Sequence, residues 1–191
     1  ETIDLSALAN ALGGLPRNSP LAIRNFALFS VLIDTGAGVS EVAQLRWSMV
    51  DLAAGVVRFA GKAEREIRLR PTTVEVLGEL KRAASPGDAD AELCFVGYNR
   101  YGPIRIGKRP LGITSRGIEI LVKSLASSLG FERVTPRILR HSAVVAWYRE
   151  GADEAEIQRR LGLKTAYSFG IYAPIFSKID AKSKSSSGAT S

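Results

Sequence analysis

Residues 20–34, PLAIRNFALFSVLID, are apolar on nearly every side. A helix of that kind has no face to offer water, so it must run through the centre of a domain with other elements packed around it. The rest of the 191-residue chain has to supply that wrapping. A chain of this length is expected to form one domain, and a hydrophobic content of 46% is ordinary for a protein with a proper core. It contains no apolar run of about 18 residues, so no transmembrane helix is predicted. No signal peptide is visible, and the start at Glu1 rather than Met is expected of a piece of something longer.

The wrapping elements can be placed from their punctuation. DLSALANAL reads as a short helix ended by Gly13 and Gly14. TGAG (35–38) breaks the central helix, and Ser40 is expected to cap a short helix, SEVAQL. GVVRFAG and EREIRLR read as two short strands joined around Lys62 to Glu64. A helix follows over 71–84 with Pro71 at its start. LCFV (93–96) is a short apolar run, helix or strand. Residues 97–112, GYNRYGPIRIGKRPLG, read as a loop by glycine and proline content. Ile118, Leu121, Val122 and Leu125 mark a helix over 113–129. Further helices are predicted from Thr135 to about Glu150, over 153–161 and over 165–172. The tail, residues 180–191, is too polar and small to fold. The predicted fold class is mainly α with a small antiparallel β hairpin.

Charge narrows the partner. The net charge is +7 and the pI about 9.8, which favours a polyanion: nucleic acid first, an anionic membrane second. One cysteine excludes an intramolecular disulfide framework and a cysteine-rich zinc site. With one histidine as well, no metal or other cofactor is predicted, and an intracellular compartment fits best.

The densest chemistry lies in TPRILRHS (135–142). Thr135 followed by Pro136 is a strong helix start. Arg137, Arg140 and His141 then fall at i, i+3 and i+4, on one face of the first turns. The loop 97–112 adds Arg100, Arg105, Lys108 and Arg109, with Tyr98 and Tyr101 interleaved. It is either a solvated loop or one that tracks phosphates. Arg116, at the start of the next predicted helix, joins the candidate DNA-binding set.

Four blocks stand in register. TGAGVSEVAQLRW (35–47) is followed by Gly61 and Lys62 at the hairpin, then by TPRILRHS, then by Leu161 and Gly162 with Tyr172 beyond. In this order and spacing the chain resembles the catalytic domain of the tyrosine recombinases, the phage-integrase and Xer-type family, over residues 20–176. The resemblance implies a DNA breaking-rejoining fold over residues 1–179, duplex DNA as partner, assembly of several copies on that DNA, no metal and a cytoplasmic or nucleoid location. It also implies an N-terminal core-binding domain, which is expected to be absent from this fragment. In that family a tyrosine attacks a DNA phosphodiester, forms a phosphotyrosyl link and expels a 5′ hydroxyl. Cationic side chains hold the non-bridging oxygens, and a lysine protonates the leaving oxygen. By resemblance Tyr172 is the nucleophile, Lys62 the general acid and Arg140 the second arginine, with His141 supporting.

Three of six catalytic positions depart from the family pattern. Its first arginine falls on Gly38, its first histidine on Arg137, and its later histidine or tryptophan on Leu163. Arg137 keeps a cation. Leu163 offers no donor, and Gly38 removes a charge and a bidentate clamp. Losing one preorganised donor costs about 3 to 4 kcal/mol. Arg46 and Arg24 are the two candidates to fill the gap. The expected function is therefore a DNA-binding relative in recombination or integration whose strand cleavage is lost or weakened. The alternatives are an active site-specific recombinase, and an interaction module that kept only the fold.

Overall fold

The computed structural model describes residues 2–60, 64–83, 92–163, 169–177 and 179. The central helix is α2 (Pro20–Thr35), preceded by α1 (Leu5–Gly13). Ser19 caps α2 by accepting the Ala22 N–H, and ten of its sixteen residues are buried, as an all-round apolar helix requires. Around it pack α1, α4 (Pro71–Ala83) and α6 (Pro136–Arg149). Phe29 and Phe95 lie wholly inside this core, and each such ring contributes roughly 1.5 to 3 kcal/mol.

Gly36 ends α2 in the left-handed region at φ 57°, its N–H bonded to Leu32 O. A Cβ there would stand 3.2 Å from Trp147 Cη2 on α6, so the break also lets two helices close together. Thr35 Oγ1 donates to Val31 O and accepts the Ala37 N–H, which fixes the exit of the chain. A short α3 (Val39–Ala43) follows. Its cap is Gly38, not Ser40: the Glu41 carboxylate reaches back to the Gly38 N–H at 2.8 Å and satisfies the start of the helix from within.

The predicted hairpin is part of a three-stranded antiparallel sheet, β1 (Val50–Asp51), β2 (Val56–Phe59) and β3 (Arg65–Arg68). Val57 faces Ile67 across β2 and β3. The glycine-rich stretch expected to be a loop instead carries two small hairpins. These pair β4 (Tyr98–Asn99) with β5 (Gly102–Pro103), and β6 (Arg105–Ile106) with β7 (Arg109–Pro110). Gly107 makes the turn of the second at a φ of 59°, and Gly102, also at positive φ, leads the chain out of the Arg100–Tyr101 turn of the first, so glycines that argued for a loop serve the hairpins. LCFV is neither helix nor full strand: Leu93 and Val96 make single bridges to Arg46 and Gly112.

The remaining helices are α5 (Ser115–Ser128), capped by Thr114, then α6 and α7 (Glu154–Leu161). A one-turn 3-10 helix, Gly170–Tyr172, stands in the C-terminal segment. Phe169, Tyr172 and Phe176 from that segment pack on Trp147 of α6 and Leu161 of α7 as a second, smaller core. The start of the helix predicted over 165–172 and the tail 180–191 lie outside the described residues.

Candidate functional site

Thr135 Oγ1 accepts the Ile138 N–H, Pro136 takes the first turn, and α6 starts as its sequence requires. Exposed N–H groups and the helix dipole both favour an anion at that end. A cleft of about 540 Å³ opens there, between the starts of α3 and α6 and one side of α5. Gly38, Arg137 and Arg140 line it, joined by Arg116, Glu119 and Lys123 of α5. Four cations against one carboxylate give the described wall a net charge of +3.

Arg140 is fixed from behind. It donates from Nη1 to Gly36 O at 2.6 Å and from Nη2 to Leu161 O at 2.9 Å. Those carbonyls belong to the ends of α2 and α7, where the helix dipoles are negative. Two of the five guanidinium N–H donors are used this way, and the group is held rigid at the cleft wall. Arg137 is exposed at the same wall. Arg116 is 78% exposed and bonded to Glu119 at 3.0 Å, and Lys123 is exposed one turn beyond.

Beneath Gly38 lies an ion-pair hub. Glu41 accepts from Arg65 Nη1 at 2.7 Å and Nη2 at 3.0 Å. Arg65 is buried on β3, donates from Nε to Arg160 O at 2.7 Å, and lies over the Phe59 ring. Burial pushes the Glu41 carboxyl up. The Arg65 hydrogen bonds, the Gly38 N–H and the charges of Arg65 and Arg140 outweigh that and hold it below the usual carboxylate range. Gly162 makes room for the hub: a Cβ there would fall 2.6 Å from Arg65 Nη1, at a φ of 66°. One pair thus ties α3, β3 and the end of α7 together around the cleft.

Gly38 itself has extended backbone, φ −72° and ψ 153°. A Cβ there would meet only Glu41 Oε2, at 3.5 Å. Neither candidate replacement lines the cleft. Arg46 pairs with Glu92, and Arg24 is buried at a different cavity, against Tyr98.

His141 turns away from the cleft to meet Tyr172 edge to face, with ring centroids 5.3 Å apart. Burial first, then the neighbouring charges of Arg137 and Arg140, push the imidazole below its ordinary range. Tyr172 is 2% exposed and packs against Phe169 as well. Leu163 is half-buried against the second core, its backbone N–H bonded to Gln158 O. Gly61 and Lys62 lie outside the described residues. Arg105, Lys108 and Arg109 are exposed on the second small hairpin, and Arg100 is exposed at the tip of the first, over the Tyr101 ring. None of these four lines the cleft.

Sequence reasoning missed Arg65 and Lys123. Lys123 was within reach, since Arg116, Glu119 and Lys123 fall at i, i+3 and i+7 on one helical stripe. Arg65 was not, because a charged residue in a strand of alternating charges carries no signal that it points inward.

The phage integrase family matches residues 4–177 of the chain. The chain belongs to the phage integrase family. Tyrosine recombinase XerC of Xylella fastidiosa (strain 9a5c) is 33% identical over 150 residues, covering 78% of this chain and 47% of that protein. Tyrosine recombinase XerD of Listeria innocua serovar 6a is 27% identical over 180 residues, covering 92% and 58%. The chain thus spans about half the length of these relatives. Among solved structures, XerA recombinase superposes with a TM-score of 0.72 at 25% identity, covering 90% of this chain and 57% of that one. XerH recombinase bound to its difH substrate gives 0.70 at 21%, covering 88% and 48%. The fold is that of a tyrosine-recombinase catalytic domain, mainly helical with small antiparallel sheets, as the sequence implied.

Proposed function

We propose that this domain binds duplex DNA through the cleft at the start of α6, as the recombinase-like part of a protein of DNA recombination or integration, with strand cleavage lost or much weakened. The observation that carries the reading is the cleft wall. Arg140, clamped by two carbonyls, stands beside Arg137, Arg116 and Lys123 at a helix N-terminus. That is a phosphate cradle by chemistry: planar guanidinium groups and a row of cations facing one space. The exposed cations of the small hairpins extend the basic surface.

The weakness of cleavage rests on three features. Gly38 leaves open the place where the family pattern sets its first arginine, and Leu163 brings no donor. Tyr172 is also buried against His141 and Phe169, so its hydroxyl has to leave that packing to reach a phosphate. Were it to do so, its oxygen would give up its proton to water and attack phosphorus, the bond from phosphorus to the 5′ oxygen would break with a proton supplied to that oxygen by Lys62, and Arg140 and Arg137 would hold the non-bridging oxygens. The retention of Tyr172 next to the residue adjoining Arg140 is what favours the second reading, an active recombinase. In either case further copies of the chain would assemble on the same DNA.

The test uses the full-length protein with nicked duplex fragments, read for a covalent adduct on a denaturing gel, beside Tyr172→Phe. Salt-dependent DNA binding with no adduct is expected. An adduct that needs Tyr172 overturns the loss of cleavage. Weak binding with a flat salt dependence overturns the DNA reading and leaves an interaction module.

A further inference from the structure

On the other flank of α5, separated from the cleft by Ile120, lies a second cavity of about 420 Å³. It holds the least satisfied charge among the described residues. Arg24 is 5% exposed, and its Nε and Nη1 have no hydrogen-bond partner. The Asn25 carboxamide oxygen beside it is also buried and unpartnered. Among the described residues no acidic one lines the cavity, and the Glu119 carboxylate on the neighbouring turn is already bonded to Arg116. The ring of Tyr98, 5.3 Å from the guanidinium carbon, offers a cation–π contact. Burial lowers the Arg24 pKa to about 10, opposed by Tyr98, so the group stays charged at neutral pH. Two buried guanidinium nitrogens without an acceptor are costly, and such groups are normally paired.

The rest of the wall says what would pair it. Ile113, Ile120, Leu121 and Leu125 give it an apolar side, and Ser124 and Ser128 stand on the exposed side of α5. The volume falls in the range of small-ligand pockets, roughly 300 to 1,000 Å³. We infer that this cavity is a binding site for a small organic carboxylate with an apolar body, its carboxylate on Arg24 and its body against Ile113 and against Ile120, Leu121 and Leu125 of α5. The site is distinct from the DNA cleft and does not depend on that reading. Its wall includes Gly97, Tyr98 and Ile104, so an occupant would touch the segment that carries the two small hairpins.

The test is calorimetric titration of the full chain with hexanoate, and with inorganic phosphate as the second probe. Saturable hexanoate binding is expected, with Kd of about 1 mM or below, and at least about tenfold weaker in Arg24→Met. Ser124→Phe, at an exposed position on the cavity wall, is expected to block binding without disturbing the core. Removing an unpaired buried charge is also expected to leave the melting temperature of empty Arg24→Met equal to or above that of the parent. Three results would each overturn the site: no saturable binding below about 10 mM, binding of phosphate but not hexanoate, or hexanoate binding unchanged in both variants.

Discussion

Gly38→Arg is the sharpest perturbation the site allows. The backbone at Gly38 is extended and the nearest atom to a new Cβ is Glu41 Oε2 at 3.5 Å, an ordinary contact. The cap of α3 is made by the Glu41 carboxylate on the Gly38 N–H, and a side chain does not displace it. Replacing a cap glycine costs a few tenths of a kcal/mol to about 1, and reduced freedom of the unfolded chain returns about 0.4 to 1. Stability should therefore stay within about 1 kcal/mol of the parent. The gain is at the cleft, where the wall goes from a net +3 to +4. One added phosphate contact steepens the salt slope by about 0.9, which between 50 and 200 mM salt is roughly a further three- to fourfold loss of affinity. If the missing clamp is the main defect in cleavage, adduct formation should rise by about a hundred- to a thousandfold, the worth of one preorganised donor. The assays are DNA binding by anisotropy across salt and adduct formation on a denaturing gel, with Tyr172→Phe in the same background as control. A folded Gly38→Arg protein with the parent's salt slope and no adduct would refute the placement of Gly38 against a phosphate.

Three further outcomes are expected. Arg140→Ala should lower the salt slope of DNA binding by about 0.9 and, by freeing the Gly36 and Leu161 carbonyls, also lower the melting temperature; an unchanged slope in a folded variant would remove Arg140 from the phosphate site. Glu41→Gln should destabilise by about 2 to 3 kcal/mol in urea unfolding, less than a fully buried pair because the Glu41 side chain is 33% exposed. Since the Glu41 carboxyl is depressed in the folded protein, its contribution is present above the ordinary glutamate pKa and lost as pH falls through the depressed value, so the gap between parent and variant should close on acidification. Gly162→Ala should cost about 1 to 3 kcal/mol, because its φ is 66° and its Cβ collides with Arg65; a neutral substitution there would show that the hub can shift without loss.

Much of the fold was legible because the strongest signals are local. The all-round apolar helix, the TGAG break that ends it and the Thr135 cap with Pro136 after it each fix a boundary by their own chemistry. The cap of α3 was misplaced because Ser40 is the better capping type, while the real acceptor is a side chain three residues downstream of Gly38. The two small hairpins were hidden because two-residue strands bury too little to show a period of two. At the site, Arg137, Arg140 and Gly38 were found and do share one cleft. His141 was expected on the same face, yet its ring serves the second core through Tyr172, a contact between segments that no local pattern encodes.

On the proposed reading the site divides into parts that hold shape and parts that meet the phosphate, and two of the three changed positions, Gly38 and Arg137, fall on the second side, while Leu163 packs against the second core. The Glu41–Arg65 pair, the Gly162 that clears space for it, and the carbonyl clamp on Arg140 are all intact. Each is buried or half-buried, and losing any one leaves an unpaired charge or a steric clash that costs stability. Gly38 and Arg137 stand at the open wall, where a change costs little in the folded protein. On the proposed reading DNA binding would tolerate such changes, because a phosphate contact is a point charge in a row and Arg137, Lys123 and Arg116 supply others. Cleavage would not, because a transition state draws on each donor at its own place. A cleft kept in shape with its clamp removed is therefore what a chain would hold if DNA binding were still required of it and strand transfer were not.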